Sequence, residues 1–172
     1  VKDAWLLKGK SHYFRREYDS AVSIFNQLIQ EDGFSQEAKY WLALCKWRDL
    51  KPQPAINDLE NLISEVESDE FKSKIFLSLG EIHLSIDNSE LAFNNFDKGA
   101  NLSKNRLLRE QVYFQIAEIS FQKTDFDKAL ESYQKVLSNT VSITRIQDSN
   151  LKMVQIYRLR GELEKSANKI QE

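Results

Sequence analysis

One pattern recurs five times along this 172-residue chain: a short turn, a small residue and, four positions later, an apolar or aromatic one. It reads REYDSA leading to Phe25, LKPQPA to Leu59, DNSELA to Phe96, TDFDKA to Tyr133 and GELEKS to Ile170. The small residues Ala21, Ala55, Ala92, Ala129 and Ser166 follow one another at intervals of 34, 37, 37 and 37. A fixed period of this size predicts a solenoid, in which each unit buries its apolar face only against its neighbours. The expected fold is all-α, a row of helical hairpins. Five Gly and two Pro are too few for a chain of many turns and short strands.

Upstream of each small residue lies the other half of the unit. Trp5, Gly9 and His12 precede Ala21; Phe76, Leu79, Gly80 and His83 precede Ala92; Tyr113, Ile116, Ala117 and Ser120 precede Ala129. The whole resembles the tetratricopeptide repeat, W-x2-L-G-x2-Y, then A-x3-F, then P. The resemblance implies a right-handed superhelix of about five repeats, near 2–34, 35–68, 69–103, 104–140 and 141–172, as one domain over residues 1–172. Departures exist. No copy ends in proline, Lys8 replaces the Leu before Gly9, the second unit carries Pro52 and Pro54, and Val154 stands where Gly is usual. The three-residue excess of the later units adds about one turn to each first helix, at roughly 3.6 residues per turn.

Ten helices are expected, near 2–15, 19–30, 35–49, 52–67, 69–86, 89–101, 104–123, 125–137, 143–160 and 162–171. Gly33 suits the left-handed end of the second helix. Ser35 and Asp125 are expected N-caps, and Pro52 and Pro54 belong to a turn or a first helical turn. Gly9, Gly80 and Gly99 imply close helix contacts, because a mid-helix Gly costs about 0.5–1 kcal/mol relative to Ala. Ile170 is expected on a seam, so the chain is expected to continue in the full protein or to stack on another copy. The start at Val1-Lys2-Asp3, without Met, is that of a processed form or an excised fragment.

No motif points to catalysis. The single Cys45 excludes an internal disulfide framework and reads as a buried hydrophobe. His12 and His83 occupy the same slot two repeats apart, without a second ligand at metal spacing, and read as seam residues with a local hydrogen bond. The run Asp58, Glu60, Glu65, Glu67, Asp69 and Glu70 reads as a solvated face, with a docking patch for a basic partner as its alternative. No Gly-rich phosphate loop, CxxC or HExxH occurs. Neither an enzyme nor a cofactor or metal site is expected.

The resemblance also implies where partners bind. In tetratricopeptide arrays the first helix of each pair lines the inner wall. Carried over, that wall takes Leu6, Lys10, Tyr13 and Phe14 from the first unit and Tyr40, Leu44, Trp47 and Arg48 from the second. It continues with Leu77 and Glu81, then Phe114, Glu118 and Phe121, then Arg158. Tyr, Trp, Phe and Arg are the types enriched at interface centres. The expectation is a groove gripping an extended or helical segment of a partner protein, with Tyr13, Tyr40 and Trp47 as anchors; the alternative is that these aromatics pack on one another. The Lys/Asn/Arg clamp by which some members hold chaperone C-termini is not reproduced, since its first-unit slots hold Leu6 and Lys10.

A protein-interaction scaffold is therefore the leading reading. A self-stacking architectural module and an RNA-binding helical repeat are the rivals. The net charge of −2 and the lack of a basic stripe argue against RNA. The opening segment, AWLLKGKSHYFRREYDSAVSIFNQLI, also looks like bacterial cell-envelope lipoproteins of outer-membrane assembly or of gliding and secretion, which favours a periplasmic or outer-membrane face over cytoplasm.

Overall fold

The computed structural model describes residues 2–31 and 33–170, apart from the side chains at 163, 164, 167 and 170. Among them are ten helices: α1 Lys2–Phe14, α2 Tyr18–Leu28, α3 Ser35–Arg48, α4 Pro52–Glu65, α5 Asp69–Ser85, α6 Ser89–Leu102, α7 Arg106–Gln122, α8 Phe126–Asn139, α9 Ile143–Leu159 and α10 Leu163–Ile170. They fall into two compact units, Val1–Asn95 and Phe96–Glu172, whose boundary lies inside α6. In the first, α1 packs on α2, α2 on α3, α3 on α4 and α4 on α5; in the second, α7 packs on α8, α8 on α9 and α9 on α10. The side chain of Ile170 lies outside the described residues.

The return helices are two-faced. Ala21, Ile24, Phe25 and Leu28 of α2, and Ala129, Ser132, Tyr133 and Val136 of α8, form one buried stripe at helical spacing. The first helices are buried more widely. On α3 the buried residues are Ala38, Tyr40, Trp41, Ala43, Leu44 and Cys45, because this helix meets α1, α2 and α4 at once. All five period-setting residues, Ala21, Ala55, Ala92, Ala129 and Ser166, are buried. The added turn is present: α5, α7 and α9 have 17 residues against 13 and 14 in α1 and α3.

Each hairpin turns in the same way. Arg16, Leu50, Asp87, Thr124 and Gly161 all take positive φ, between 57° and 75°, and each lies five residues before a period-setting residue. The following amide reaches back five residues: Glu17 N–H donates to His12 C=O, Lys51 to Lys46, Asn88 to His83, Asp125 to Ser120 and Glu162 to Tyr157, at 2.8–3.0 Å. This is the Schellman closure, which satisfies carbonyls orphaned at a helix end through one left-handed residue. Only the fifth turn uses glycine for it.

Gly9 has the expected packing reason: a Cβ there meets Phe25 Cε1 at 2.6 Å. Gly33 takes φ 80° after α2. Asp125 caps α8 by accepting from Lys128 N–H, and Pro52 opens α4. Ser35 is not a cap; Phe34 holds that position without a side-chain bond, and Ser35 is the first helical residue. The fourth unit's first helix starts later than expected because Asn105 caps it, accepting from Leu108 N–H.

Candidate functional site

The first helices α1, α3 and α5 of the unit Val1–Asn95 lie side by side and are joined at equivalent positions of successive repeats. Arg48 Nε donates to Tyr13 Oη at 3.1 Å, 35 residues apart. Tyr40 Oη and Ser78 Oγ are 2.8 Å apart, and Trp47 Nε1 donates to Ser85 Oγ at 3.1 Å, both pairs 38 apart in sequence. Beneath this polar layer the rings interlock. Tyr13 meets Trp41 edge-on at 5.1 Å, Trp41 stacks on Phe25 at 6.1 Å, and Tyr40 meets Trp41 at 5.4 Å and Phe71 at 5.8 Å. Such edge-on pairs suit the opposed charge of ring face and ring edge.

Charges sit on this aromatic shelf. Lys10 Nζ is 2.6 Å from Glu37 Oε1, and Lys74 Nζ approaches the same oxygen at 3.6 Å. Lys74 also lies 4.3 Å from the Tyr40 ring centroid and 5.1 Å from that of Trp41. Burial opposes ionisation of Glu37, but the Lys10 hydrogen bond and the charges of Lys74 and Lys10 outweigh it and hold its carboxyl below the usual range. Burial lowers the Lys74 ammonium, with Glu37 resisting. Burial also pushes the Tyr40 phenol up to about 12 and raises the Glu81 carboxyl, the latter partly offset by the charge of Arg48.

The expected wall is therefore only partly open. Leu6, Tyr13, Tyr40 and Leu44 are buried, Tyr40 to 4% exposure, so two of the three expected anchors belong to the seam. Their rings are needed to join one repeat to the next, and the same contacts remove them from the surface. Lys10, Trp47 and Leu77 are half-buried; Arg48 and Glu81 are exposed. Phe14 is 72% exposed, yet it stands edge-on to Tyr13 at 5.5 Å and to Trp41 at 5.8 Å.

The unit Phe96–Glu172 repeats the device with α7 and α9. Arg145 lies 3.9 Å over Phe114 and donates to Glu110 at 3.1 Å. Lys152 lies 4.8 Å from the Phe121 ring and 3.3 Å from Glu118 Oε2, and Tyr133 Oη donates to the other Glu118 oxygen. Phe114, Glu118 and Phe121 are thus half-buried beneath cations from the next helix, while Arg158 is exposed.

Sequence reasoning missed Glu37, Trp41, Lys74, Arg145 and Lys152. Glu37 and Lys74 stand three residues before Tyr40 and Leu77, so helical spacing places them on the same face. The remaining candidates settle simply. Cys45 is buried, which pushes its thiol up to about 12. His12 Nδ1 pairs with Glu17 Oε2 at 2.5 Å, but His83 Nδ1 is buried without the expected local hydrogen bond. The acidic run is exposed except at the half-buried Asp58, and two of its members make surface pairs: Asp58 with Lys46 at 2.6 Å and Glu65 with Lys39 at 2.5 Å. These pairs rim a cleft of about 470 Å³ floored by Val22, Ile29, Leu42 and Leu62. Among the described residues no helix is long and apolar enough to cross a membrane.

Profiles described as tetratricopeptide repeat match residues 3–35 and 110–139. The chain matches them in its first and fourth hairpins, in agreement with the geometry above. Its fold is shared with solved structures. One is the MamA protein, with a TM-score of 0.67 at 16% identity over 99% of this chain and 88% of that one. Another is the C-terminal part of a TPR repeat-containing protein from Cytophaga hutchinsonii, with 0.67 at 21% identity over 95% and 61%. Two curated relatives are similar in sequence. PIH1 domain-containing protein 1 of Xenopus laevis is 26% identical over 163 residues, covering 86% of this chain and 52% of the relative. Lipopolysaccharide assembly protein B of Escherichia coli K12 is 28% identical over 138 residues, covering 76% and 33%. The chain thus spans about half the length of the first and a third of the second.

Proposed function

We propose that this chain is a non-catalytic scaffold whose α1–α3–α5 face holds a segment of a partner protein. The observation that carries the reading is Phe14, a large ring left open to solvent on Tyr13 and Trp41, while the exposed Arg48 is held by the same Tyr13 and stands over Trp47. Aromatic and arginine side chains on a rigid support lose little freedom on binding and dominate interface energies. The repeat family and its structural neighbours support a binding rather than a chemical role. The likeness to a protein named for lipopolysaccharide assembly supports a place in a bacterial cell-envelope complex; its periplasmic or outer-membrane face is proposed from the opening segment alone.

A photo-crosslinking residue placed at Phe14, in cells of the source organism, tests this. A discrete partner band is expected, weakened by Trp47→Ala while far-UV circular dichroism shows the helices intact, the lost Ser85 bond lowering only the melting temperature. Undiminished crosslinking from position 14 in the Trp47→Ala background would remove the proposed face. Tyr13→Ala is the contrasting variant: the ring is buried, so it unfolds the seam, at about 3–5 kcal/mol for loss of a large core ring.

A second reading rests on α9. The face bearing Leu151, Gln155 and Arg158 corresponds, one repeat on, to the face of α7 that α9 covers, and Leu151 is exposed. It takes a further helix, either of this chain or of another copy. Sedimentation of the full protein over a concentration range decides whether copies supply it.

A further inference from the structure

Within the proposed face, Arg48 stands out by how it is held. Its Nε hydrogen is used by Tyr13 Oη at 3.1 Å, and its Cζ stands over the Trp47 ring, 3.9 Å from the centroid. The two terminal nitrogens make no hydrogen bond or ion pair with any described residue. The acidic side chain whose charge acts on Arg48 is Glu81, which does not pair with it. A guanidinium fixed on one edge and one face, with its fork open, is the group that binds a carboxylate through two parallel hydrogen bonds. Its immobility removes much of the entropy that a free arginine loses on binding. Phe14 and Arg48 share one support, Tyr13: its hydroxyl holds Arg48, and its ring meets Phe14 edge-on at 5.5 Å.

We infer that Arg48 and Phe14 form a two-part subsite for an acidic–apolar step in the partner: an Asp or Glu side chain on the Arg48 fork, and a Leu- or Phe-like side chain on the Phe14 ring. The two contacts are reached by residues one or two apart in an extended segment, at about 3.3 Å per residue. This rests on the reading of the α1–α3–α5 face as a partner-binding surface and specifies the chemistry it selects. Tyr13 is a positioning residue, since it orients Arg48 and is itself covered. Glu81 is the internal competitor for the fork.

The test uses decapeptides carrying an uncharged BODIPY label, acetylated and amidated so that a side chain is their only carboxylate. Each carries Asp, Glu, Asn or Gln one or two residues from a Leu or Phe in a Gly/Ser background. Fluorescence polarisation against the full protein is expected to favour the acidic peptides over their amide counterparts by roughly tenfold, as charge-assisted pairing requires. Arg48→Gln is expected to erase that ratio. Arg48→Lys reduces it, because a point charge replaces a fork, and Glu81→Gln raises it. Tyr13→Phe lowers the acid-to-amide ratio while the circular dichroism spectrum is unchanged, which a purely structural tyrosine does not do. Phe14→Ala weakens acidic and amide peptides alike. Equal binding of acidic and amide peptides, a ratio indifferent to Arg48→Gln, or binding only of peptides with a free C-terminal carboxylate overturns the subsite. Absence of binding by every peptide overturns it too. If the crosslinked partner of Phe14 is still lost on Trp47→Ala, the wider face stands even where this subsite falls.

Discussion

Replacing Leu50 by glycine is expected to stabilise the protein, although Leu to Gly is ordinarily a damaging change. Leu50 sits at φ 57° in the second hairpin turn and is 90% exposed, so it contributes almost no burial. A left-handed conformation costs an L-residue roughly 1–2 kcal/mol, which glycine does not incur. Against this, glycine adds about 0.4–1 kcal/mol of conformational freedom to the unfolded chain. The difference is a gain of about 0.5–1 kcal/mol, or a rise of about 1–4 °C in melting temperature for a chain of this size. Gly161 supplies the reverse experiment. It takes φ 75° at the equivalent turn, and a Cβ there meets nothing within 4 Å, so Gly161→Ala tests backbone conformation alone. It is expected to cost about the same 0.5–1 kcal/mol. The internal control is Leu7→Gly, at an exposed position inside α1, which is expected to cost about 0.8–1 kcal/mol from helix propensity. The assay is urea unfolding followed at 222 nm. If Leu50→Gly shifts the midpoint downward together with Leu7→Gly, the turn is not held by a left-handed residue and the reasoning fails.

Other expectations follow from single packing facts. Gly9→Ala places a methyl 2.6 Å from Phe25, whose ring is fully buried and stacked on Trp41. The overpacking cost of about 1–3 kcal/mol exceeds the gain in helix propensity, so calorimetry is expected to show a lower melting temperature. The buried Cys45 thiol, pushed up to about 12, is expected to resist iodoacetamide at neutral pH and to react at once in urea; rapid labelling of the native protein contradicts its burial. Burial lowers the His83 imidazole below its usual 6.5 and thereby favours its neutral form in the fold. The native state then binds fewer protons than the unfolded state, so this part of the stability is present above 6.5 and is lost as pH falls toward the folded value. Denaturation midpoints between about pH 7 and pH 5 are expected to fall less steeply in His83→Asn, and parallel slopes count against it.

The architecture was legible because one physical requirement repeats. A small residue is needed wherever two helices cross closely, so Ala21, Ala55, Ala92, Ala129 and Ser166 mark the period, and all five are buried as expected. The turns were legible as places, but their left-handed residues were not. Arg16, Leu50, Asp87 and Thr124 carry no glycine signal, and only the reach of the following amide to the carbonyl five back imposes the conformation. The caps divided likewise: Asp125 acts through its own side chain, whereas Ser35 lost that place to Phe34 because the chain enters α3 one residue earlier.

The wall shows most clearly where one-dimensional reasoning stops. The resemblance to tetratricopeptide arrays placed Tyr13, Phe14, Tyr40 and Arg48 on the inner wall, but it assigns no burial. That depends on which ring the neighbouring repeat, about 35 residues away, lays over it. Lys74 covers Tyr40 and Arg145 covers Phe114, whereas Phe14 stays open. Local periodicity by itself determined that this chain is a row of helical hairpins, because each hairpin is specified by its own residues. Only the tertiary structure decided which aromatics hold the repeats together and which remain for a partner, because exposure is a property of neighbours and not of the residue that carries it.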